Sequence, residues 1–317
     1  MPSDIEIRPY QAGDEASLLA TWNEAMWADP IEPIAWRTRY LLDPSFTPET
    51  CPVAVDRDTG DVIGFVLGFT GSATGQPGSD AWVVGFGVRE AYRRQGIGRG
   101  LMQAFESRVR QDGASRVLYG PYIPSYITPG VDVAAYGEGI AFLTAIGASE
   151  GARPLSMKAN LTNYRAAPGV AERERELVEG KITIRPAHPA DILSLLAFLN
   201  EHFPHWKGDA AGVMRDLFGG DPRTVTLHIA EDDGTIIGYA QTRNERFGPF
   251  GVNEAYRGRG VGAVLLSRTL RSMRAQGFHS AWFLWTSDRT AKLYRQHGFE
   301  EVRRFAMVTK ELGPTHP

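Results

Sequence analysis

Alternating apolar and polar residues open each half of the chain. Ile5-Glu6-Ile7-Arg8-Pro9 has the period of two that marks a strand, and Ile182-Thr183-Ile184-Arg185-Pro186 repeats it. An acid then precedes a helical pattern: Asp14 before Leu18, Leu19 and Trp22, and Asp191 before Leu193, Leu195, Leu196 and Leu199. Hairpin signals follow. Thr59-Gly60 separates Val53-Ala54-Val55 from Val62-Ile63-Gly64-Phe65, and Asp233-Gly234 separates Leu227-His228-Ile229 from Ile236-Ile237-Gly238-Tyr239. Gly71 to Ser79 reads as a flexible hairpin loop. Each half then runs strand, glycine turn, helix, strand, helix and strand. That order predicts an α/β fold built twice, each time as a mixed sheet with helices on both faces. Turn chemistry at Asn163 to Gly169 and a charged helical stretch at 171–179 mark a linker. The expected division is residues 1–162, a linker at 163–180, and residues 181–317.

The glycine turns carry the chemistry. The first reads Val88-Arg-Glu-Ala-Tyr-Arg93-Arg94-Gln95-Gly96-Ile97-Gly98-Arg99. The second reads Val252-Asn-Glu-Ala-Tyr-Arg257-Gly258-Arg259-Gly260-Val261-Gly262. Both fit Arg-x-x-Gly-x-Gly with a valine five residues ahead. At a helix start the first four N–H groups have no intrahelical partner, and the helix dipole adds positive potential. An anion such as a diphosphate satisfies those donors. The glycines let phosphate oxygens approach without meeting a Cβ, and the arginines add charge-assisted hydrogen bonds. A nucleoside-triphosphate loop needs Gly-Lys followed by Ser or Thr, which neither turn has. Gly258-x-Gly260-x-x-Ala263 matches a dinucleotide fingerprint. However, the strand after it, Ser280 to Trp285, has no ribose-binding acid before Asp288.

Strand, valine, Arg-x-x-Gly-x-Gly and helix together resemble the acyl-coenzyme A motif of the GNAT (Gcn5-related) N-acetyltransferases. The second half also has a downstream segment similar to that family's, Asp288-Arg-Thr-Ala291-Lys-Leu-Tyr294-Arg-Gln-His-Gly298-Phe299. The chain therefore resembles tandem-GNAT proteins. The resemblance implies two GNAT-like domains, each a mixed, mostly antiparallel sheet flanked by helices. It also implies acetyl-coenzyme A as co-substrate, no metal, and a small-molecule or peptide amine as acceptor. The implied cofactor contacts are Val88 with Arg93 to Arg99 in the first half. In the second they are Val252 with Arg257 to Gly262, and Asp288, which stands where the family often has asparagine. Val88 and Val252 are the positions whose backbone N–H would face the thioester oxygen. Tyr294 matches the family's general acid, although its spacing alone also suits a packed aromatic.

In the first half Leu143 takes the tyrosine's place, leaving Tyr126 and Tyr136 as substitutes. That half either still binds coenzyme A while working poorly, or shapes the second site. Glu245 and His228 are the candidate bases, and His202-Phe-Pro-His205-Trp206 reads as an aromatic entrance segment. The expected activity is N-acetyl transfer by direct attack, centred on the second half. A non-catalytic acyl-coenzyme A sensor or scaffold is the alternative.

Composition narrows the setting. At 317 residues the chain suits two domains, and 43% apolar with 22% charged residues is ordinary for globular proteins. A net charge of −3 offers no broad basic surface for nucleic acid or anionic membrane. Cys51 is the single cysteine, which rules out an internal disulfide and suits a reducing cytoplasm. The start has no signal-like segment, and no apolar run is long enough to span a membrane. The expectation is a cytoplasmic monomer or homodimer.

Overall fold

A computed structural model describes residues 4–71, 79–122 and 127–313. The loop expected at Gly71–Ser79 falls mostly outside them, and so does Tyr126. The elements of the first half are β1 (Ile5–Pro9), α1 (Glu15–Ala25), α2 (Pro33–Trp36), β2 (Pro52–Asp56), β3 (Val62–Thr70), β4 (Asp80–Val88), α3 (Ile97–Gln111), β5 (Arg116–Tyr119), β6 (Val131–Asp132), α4 (Gly137–Ala145) and β7 (Ser149–Glu150). There follow β8 (Leu155–Asn160), α5 (Val170–Glu179), β9 (Ile182–Pro186), α6 (Ile192–His202), α7 (Lys207–Gly219), β10 (Val225–Asp232), β11 (Thr235–Arg243), β12 (Arg246–Val252), α8 (Val261–Ala275), β13 (Ser280–Thr286), α9 (Asp288–Gln296), β14 (Phe299–Ala306) and β15 (Val308–Glu311).

Two compact units result: Met1–Pro154 with Arg303–Pro317, and Leu155–Val302. The first holds a sheet in the order β1-β2-β3-β4-β5-β15-β7, antiparallel except between β4 and β5. Strand β3 is buried almost throughout because helices cover both faces of this sheet. Ile63 and Val66 pack with Leu101, Met102 and Phe105 of α3. Val62, Phe65 and Leu67 pack with Leu18, Leu19 and Trp22 of α1, and the Trp22 and Phe65 rings stack at 5.1 Å. In the second unit the strands run β9-β10-β11-β12-β13-β8, with β12 and β13 parallel. Residues of α5 and α8 share one core with this sheet, and those of α6 and α7 share another.

The duplication reaches side chains. Arg8 donates two hydrogen bonds to Asp14 at 2.7 and 2.8 Å, and Arg185 does the same to Asp191. Each acid also accepts a backbone N–H three residues earlier, from Gln11 or His188, at 2.7 Å. The acid ahead of each helix thus ties the first strand to the turn that follows it.

The contacts divide the chain at different places from the linear boundaries. Strand β8, from the end of the first half, pairs antiparallel with β13 in the second unit. The C-terminal β15 pairs with β5 and β7 in the first unit. A period of two says that a segment is a strand but not which sheet edge it joins, so this exchange has no local signal. The charged helix expected in the linker is α5, and its buried Val170 and Leu177 belong to the core of the second unit.

In the first unit Arg303 donates to Asp29 at 2.6 and 2.8 Å and to Asp132 at 2.5 Å. Burial opposes ionisation of Asp132, but the amides of Ala135 and Ala134 and the Arg303 guanidinium outweigh it and hold its pKa below the usual value. Arg303→Met leaves two carboxylates, 7% and 4% exposed, without their shared cation. Expected is a loss of about 3 kcal/mol in stability, read as a fall in the unfolding midpoint. Because the Asp132 pKa is depressed, its contribution is present above about pH 4 and is lost as pH falls further. The gap between variant and wild type should therefore narrow in acid.

Candidate functional site

In the second unit the parallel strands part early. Strands β12 and β13 pair only at Arg246 with Trp282. Beyond that, β12 is held on its other side by β11, where Asn253 N donates to Ile237 O at 2.8 Å. Successive backbone groups of a strand point in opposite directions. The Val252 N–H therefore faces the wedge between β12 and β13, where none of the described strands pairs with it. The first unit repeats this. Its β4 and β5 pair from Asp80 with Arg116 to Val83 with Tyr119, then part. Arg89 N donates to Ile63 O at 2.8 Å, which turns the Val88 N–H toward the opening.

A short 3₁₀ turn leads from each strand to its helix. Tyr92 closes the first on Asp56 at 2.8 Å, and Tyr256 closes the second on Asp232 at 2.9 Å. Gly96, φ +84°, caps α3 and Gly260, φ +87°, caps α8; this is the left-handed backbone that glycine adopts without strain. Ile97 and Val261 are buried and anchor the two helix starts in their cores. Phe142 lies over Gly98 at 3.5 Å from where a Cβ would stand; Phe250 and Leu293 lie over Gly262 at 3.4 and 3.7 Å. Both helices thus open beside an apolar wedge on first-turn N–H groups, such as those of Gly98 and Gly262, that have no partner among the described residues, while Ala263 N bonds Gly260 O at 3.1 Å.

The arginines differ. Arg93 Nε donates to Val88 O at 3.0 Å, while Arg94 and Arg99 are exposed with no ion-pair partner among the described residues. Gln95 is exposed too, bonded weakly to Ala91 O at 3.4 Å. In the second turn Arg257 donates to Glu254 at 2.8 Å, and the Arg259 guanidinium stacks 5.0 Å over the Tyr256 ring. Gly258, φ +81°, stands where the first turn holds Arg94 at φ +63°.

Tyr294 sits in the wedge of the second unit. Its ring lies 4.4 Å from Phe283 on β13 and 6.2 Å from Phe250 on β12, with Phe247 and Phe299 completing the enclosure. Burial pushes the phenol pKa up, so the ring is neutral at physiological pH. Leu143 is fully buried in the first core. Tyr136 donates to Asp29 at 2.8 Å within the Arg303 network, and burial, with the Asp29 charge, raises its pKa. Asp288 is exposed at the start of α9, where the Ser287 hydroxyl caps the helix.

Neither base candidate lies at the wedge. Glu245 precedes β12, at the opposite end of that strand from Val252 and on the order of 20 Å away at strand spacing. Its carboxylate accepts from Ser280 Oγ at 2.6 Å and from the Ser280 and His279 amides. The Ser280 hydroxyl, with those amides, holds its pKa below the usual value, which makes it a poor base. His228 faces α8, 3.2 Å from Ser272 and 3.4 Å from Thr269. The histidine that does reach the strand end is His202, the last residue of α6, with Nε2 3.2 Å from Asn253 Nδ2. Asn253 Oδ1 is committed to the Ala255 N–H, so the amide group turns its NH₂ toward the imidazole and leaves Nε2 as the acceptor. The next residue, Phe203, lays its ring on Gly251, 2.6 Å from where a Cβ would stand. The sequence marks this segment as an aromatic entrance and does not mark His202 as a base. Its only signal was the position closing the helix, where the first half has Ala25.

Comparison with known proteins agrees with this geometry. The "Acetyltransferase (GNAT) family" model matches residues 17–120, and the "Acetyltransferase (GNAT) domain" model matches residues 223–301. The chain belongs to the GNAT family, whose members are acyltransferases, and carries two of its domains in tandem. Among solved structures it is similar to a GCN5-related glucosamine N-acetyltransferase region of a fungal multi-domain GH3 β-N-acetylglucosaminidase. That match has TM-score 0.79 and 18% identity over 98% of this chain, which spans only 38% of the fungal one. It is also similar to a GCN5-related N-acetyltransferase from Sphaerobacter thermophilus, with TM-score 0.67, 18% identity and 98% and 96% coverage. A tandem GNAT protein from the clavulanic acid biosynthesis pathway matches with TM-score 0.61, 17% identity and 99% and 100% coverage. At such identities the likeness is one of fold. Among curated proteins no match is found.

Burial lowers the His228 pKa to about 4, and that of His297, 3.1 Å from the Tyr164 hydroxyl, to about 4 as well. Both stay neutral in the fold but take up a proton near pH 6.5 once unfolded. The stability they support is whole above pH 6.5 and drains as pH falls toward 4, by up to about 3 kcal/mol for His228. Denaturant melts across this range should show the decline, and His228→Gln should flatten it by roughly half.

Proposed function

We propose that the chain moves an acetyl group from acetyl-coenzyme A to a primary amine by direct attack, with the second unit as catalytic centre. The observation that carries this reading is the Tyr294 ring lying between Phe250 of β12 and Phe283 of β13, strands that part after Arg246, where the first unit offers leucine. The acceptor nitrogen forms its bond to the thioester carbon, and the Val252 N–H supports the oxygen as it gains charge, a contribution of ~3 kcal/mol in comparable sites. The carbon–sulfur bond then breaks. Coenzyme A leaves as a thiolate and takes the phenolic proton of Tyr294. His202, at the strand end, accepts the proton released by the amine. The Phe203 and Trp206 rings, stacked at 4.9 Å, line the same side and suit an acceptor with an apolar face. Residues Arg257 to Gly262 hold the diphosphate; residues Arg93 to Arg99 form an equivalent holding site without the acid. The acceptor lies within small-molecule and peptide amines. Absence of nucleic-acid or membrane partners and a cytoplasmic setting belong to this reading, as does a monomer or homodimer.

Thiol release from acetyl-coenzyme A against a panel of amines tests it. Tyr294→Phe should lower kcat by about 10²–10⁴-fold with KM for acetyl-coenzyme A little changed. His202→Gln should lower kcat with KM for acetyl-coenzyme A little changed. Binding of coenzyme A without turnover for any amine, and no effect of Tyr294→Phe, would leave a sensor or scaffold instead.

A further inference from the structure

The second turn is short of cations. The first carries Arg93, Arg94 and Arg99; the second carries Arg257 and Arg259, with Gly258 and Ala263 at the places of Arg94 and Arg99. Both remaining arginines are engaged, one with Glu254 and one on Tyr256. A further arginine reaches this turn from α5. A Cβ built on Gly260 would stand 2.3 Å from Arg173 Cδ, 2.4 Å from its Cγ and 2.8 Å from its Nε, whereas the same point on Gly96 opens on nothing within 4 Å. Helix α5 is fixed there by buried Val170 and Leu177 and by Glu174, bonded to Arg268 of α8. Among the described residues the Arg173 guanidinium is held only by Glu176 at 2.6 Å, an exposed pair in the same helix. Such pairs exchange readily with water. A cation beside a helix start is disfavoured by the dipole, and an anion between them reverses the sign.

We propose that Arg173 is the third phosphate-binding cation of the second turn, lent by α5 in place of the arginines that this turn lacks. This rests on the second unit holding coenzyme A. With the stem seated on Gly260, the guanidinium leaves Glu176 and bonds a phosphate oxygen of the diphosphate. The segment between the two halves thereby becomes part of one cofactor site.

Calorimetry of the full chain with coenzyme A tests it. Gly260→Asp, which sets a carboxylate in the turn, identifies the class of sites belonging to the second unit; Arg257→Met identifies the same class should that variant fail to fold. Arg173→Met, which keeps the stem and removes the charge, should weaken that class about tenfold and leave any other unmoved. Arg173→Lys should recover most of the loss. Unchanged or tighter binding by Arg173→Met would overturn the proposal, tighter binding showing that the side chain only obstructs the turn. If neither Gly260→Asp nor Arg257→Met alters any class, the second unit is no cofactor site, and the functional reading above fails together with the role of Arg173.

Discussion

Where β12 leaves β13 after Arg246, the backbone around Val252 keeps hydrogen-bonding groups on the side away from β11, and no described strand shares them. Backbone donors enclosed by protein need partners, from the chain, from water or from a ligand. Both units meet that demand in the same way: the strands part, a glycine in left-handed backbone starts a helix beside the gap, and the helix adds its own unpaired N–H groups. Under the proposed function, the amide-bearing arm and the diphosphate of coenzyme A would meet these two demands. The arm can take the place of the missing strand, and the diphosphate can cap the helix.

What separates the units is what lines that shared frame. In the second, an aromatic enclosure of Phe247, Phe250, Phe283 and Phe299 keeps the Tyr294 phenol neutral, and α6 ends on a histidine that touches the residue after Val252. In the first, leucine and alanine occupy those places, while Arg94 and Arg99 stand exposed beside an open Gly96. The first unit is thus richer in exposed cations beside its turn, and the second in aromatic rings around a buried tyrosine with a histidine near the strand end. The exchange of β8 and β15 makes each sheet depend on sequence from the other half, so neither half of the chain contains a whole unit.

Much of this was written in local pattern. Periods of two and of 3.6 marked the strands and helices. The paired Arg-x-x-Gly-x-Gly turns located both helix starts, and the string from Asp288 to Phe299 singled out Tyr294. These signals are legible because they concern neighbours in sequence: a cap, a turn, one face of a helix. Glu245 looked plausible only because it lies few residues from Val252 along the chain. An extended strand converts those residues into distance and turns the carboxylate to Ser280.

Assembly decided the rest. Which sheet β8 and β15 join depends on open strand edges far away in sequence, and a strand's own period carries no address. That His202 meets Asn253, that Arg303 binds Asp29 and Asp132, and that Arg173 lies on Gly260 all follow from how helices rest on sheets. The sequence alone determined two glycine turns that open helices and the tyrosine downstream of one. Tertiary structure decided which side chains face them, because contact between remote residues is set by packing and not by spacing along the chain.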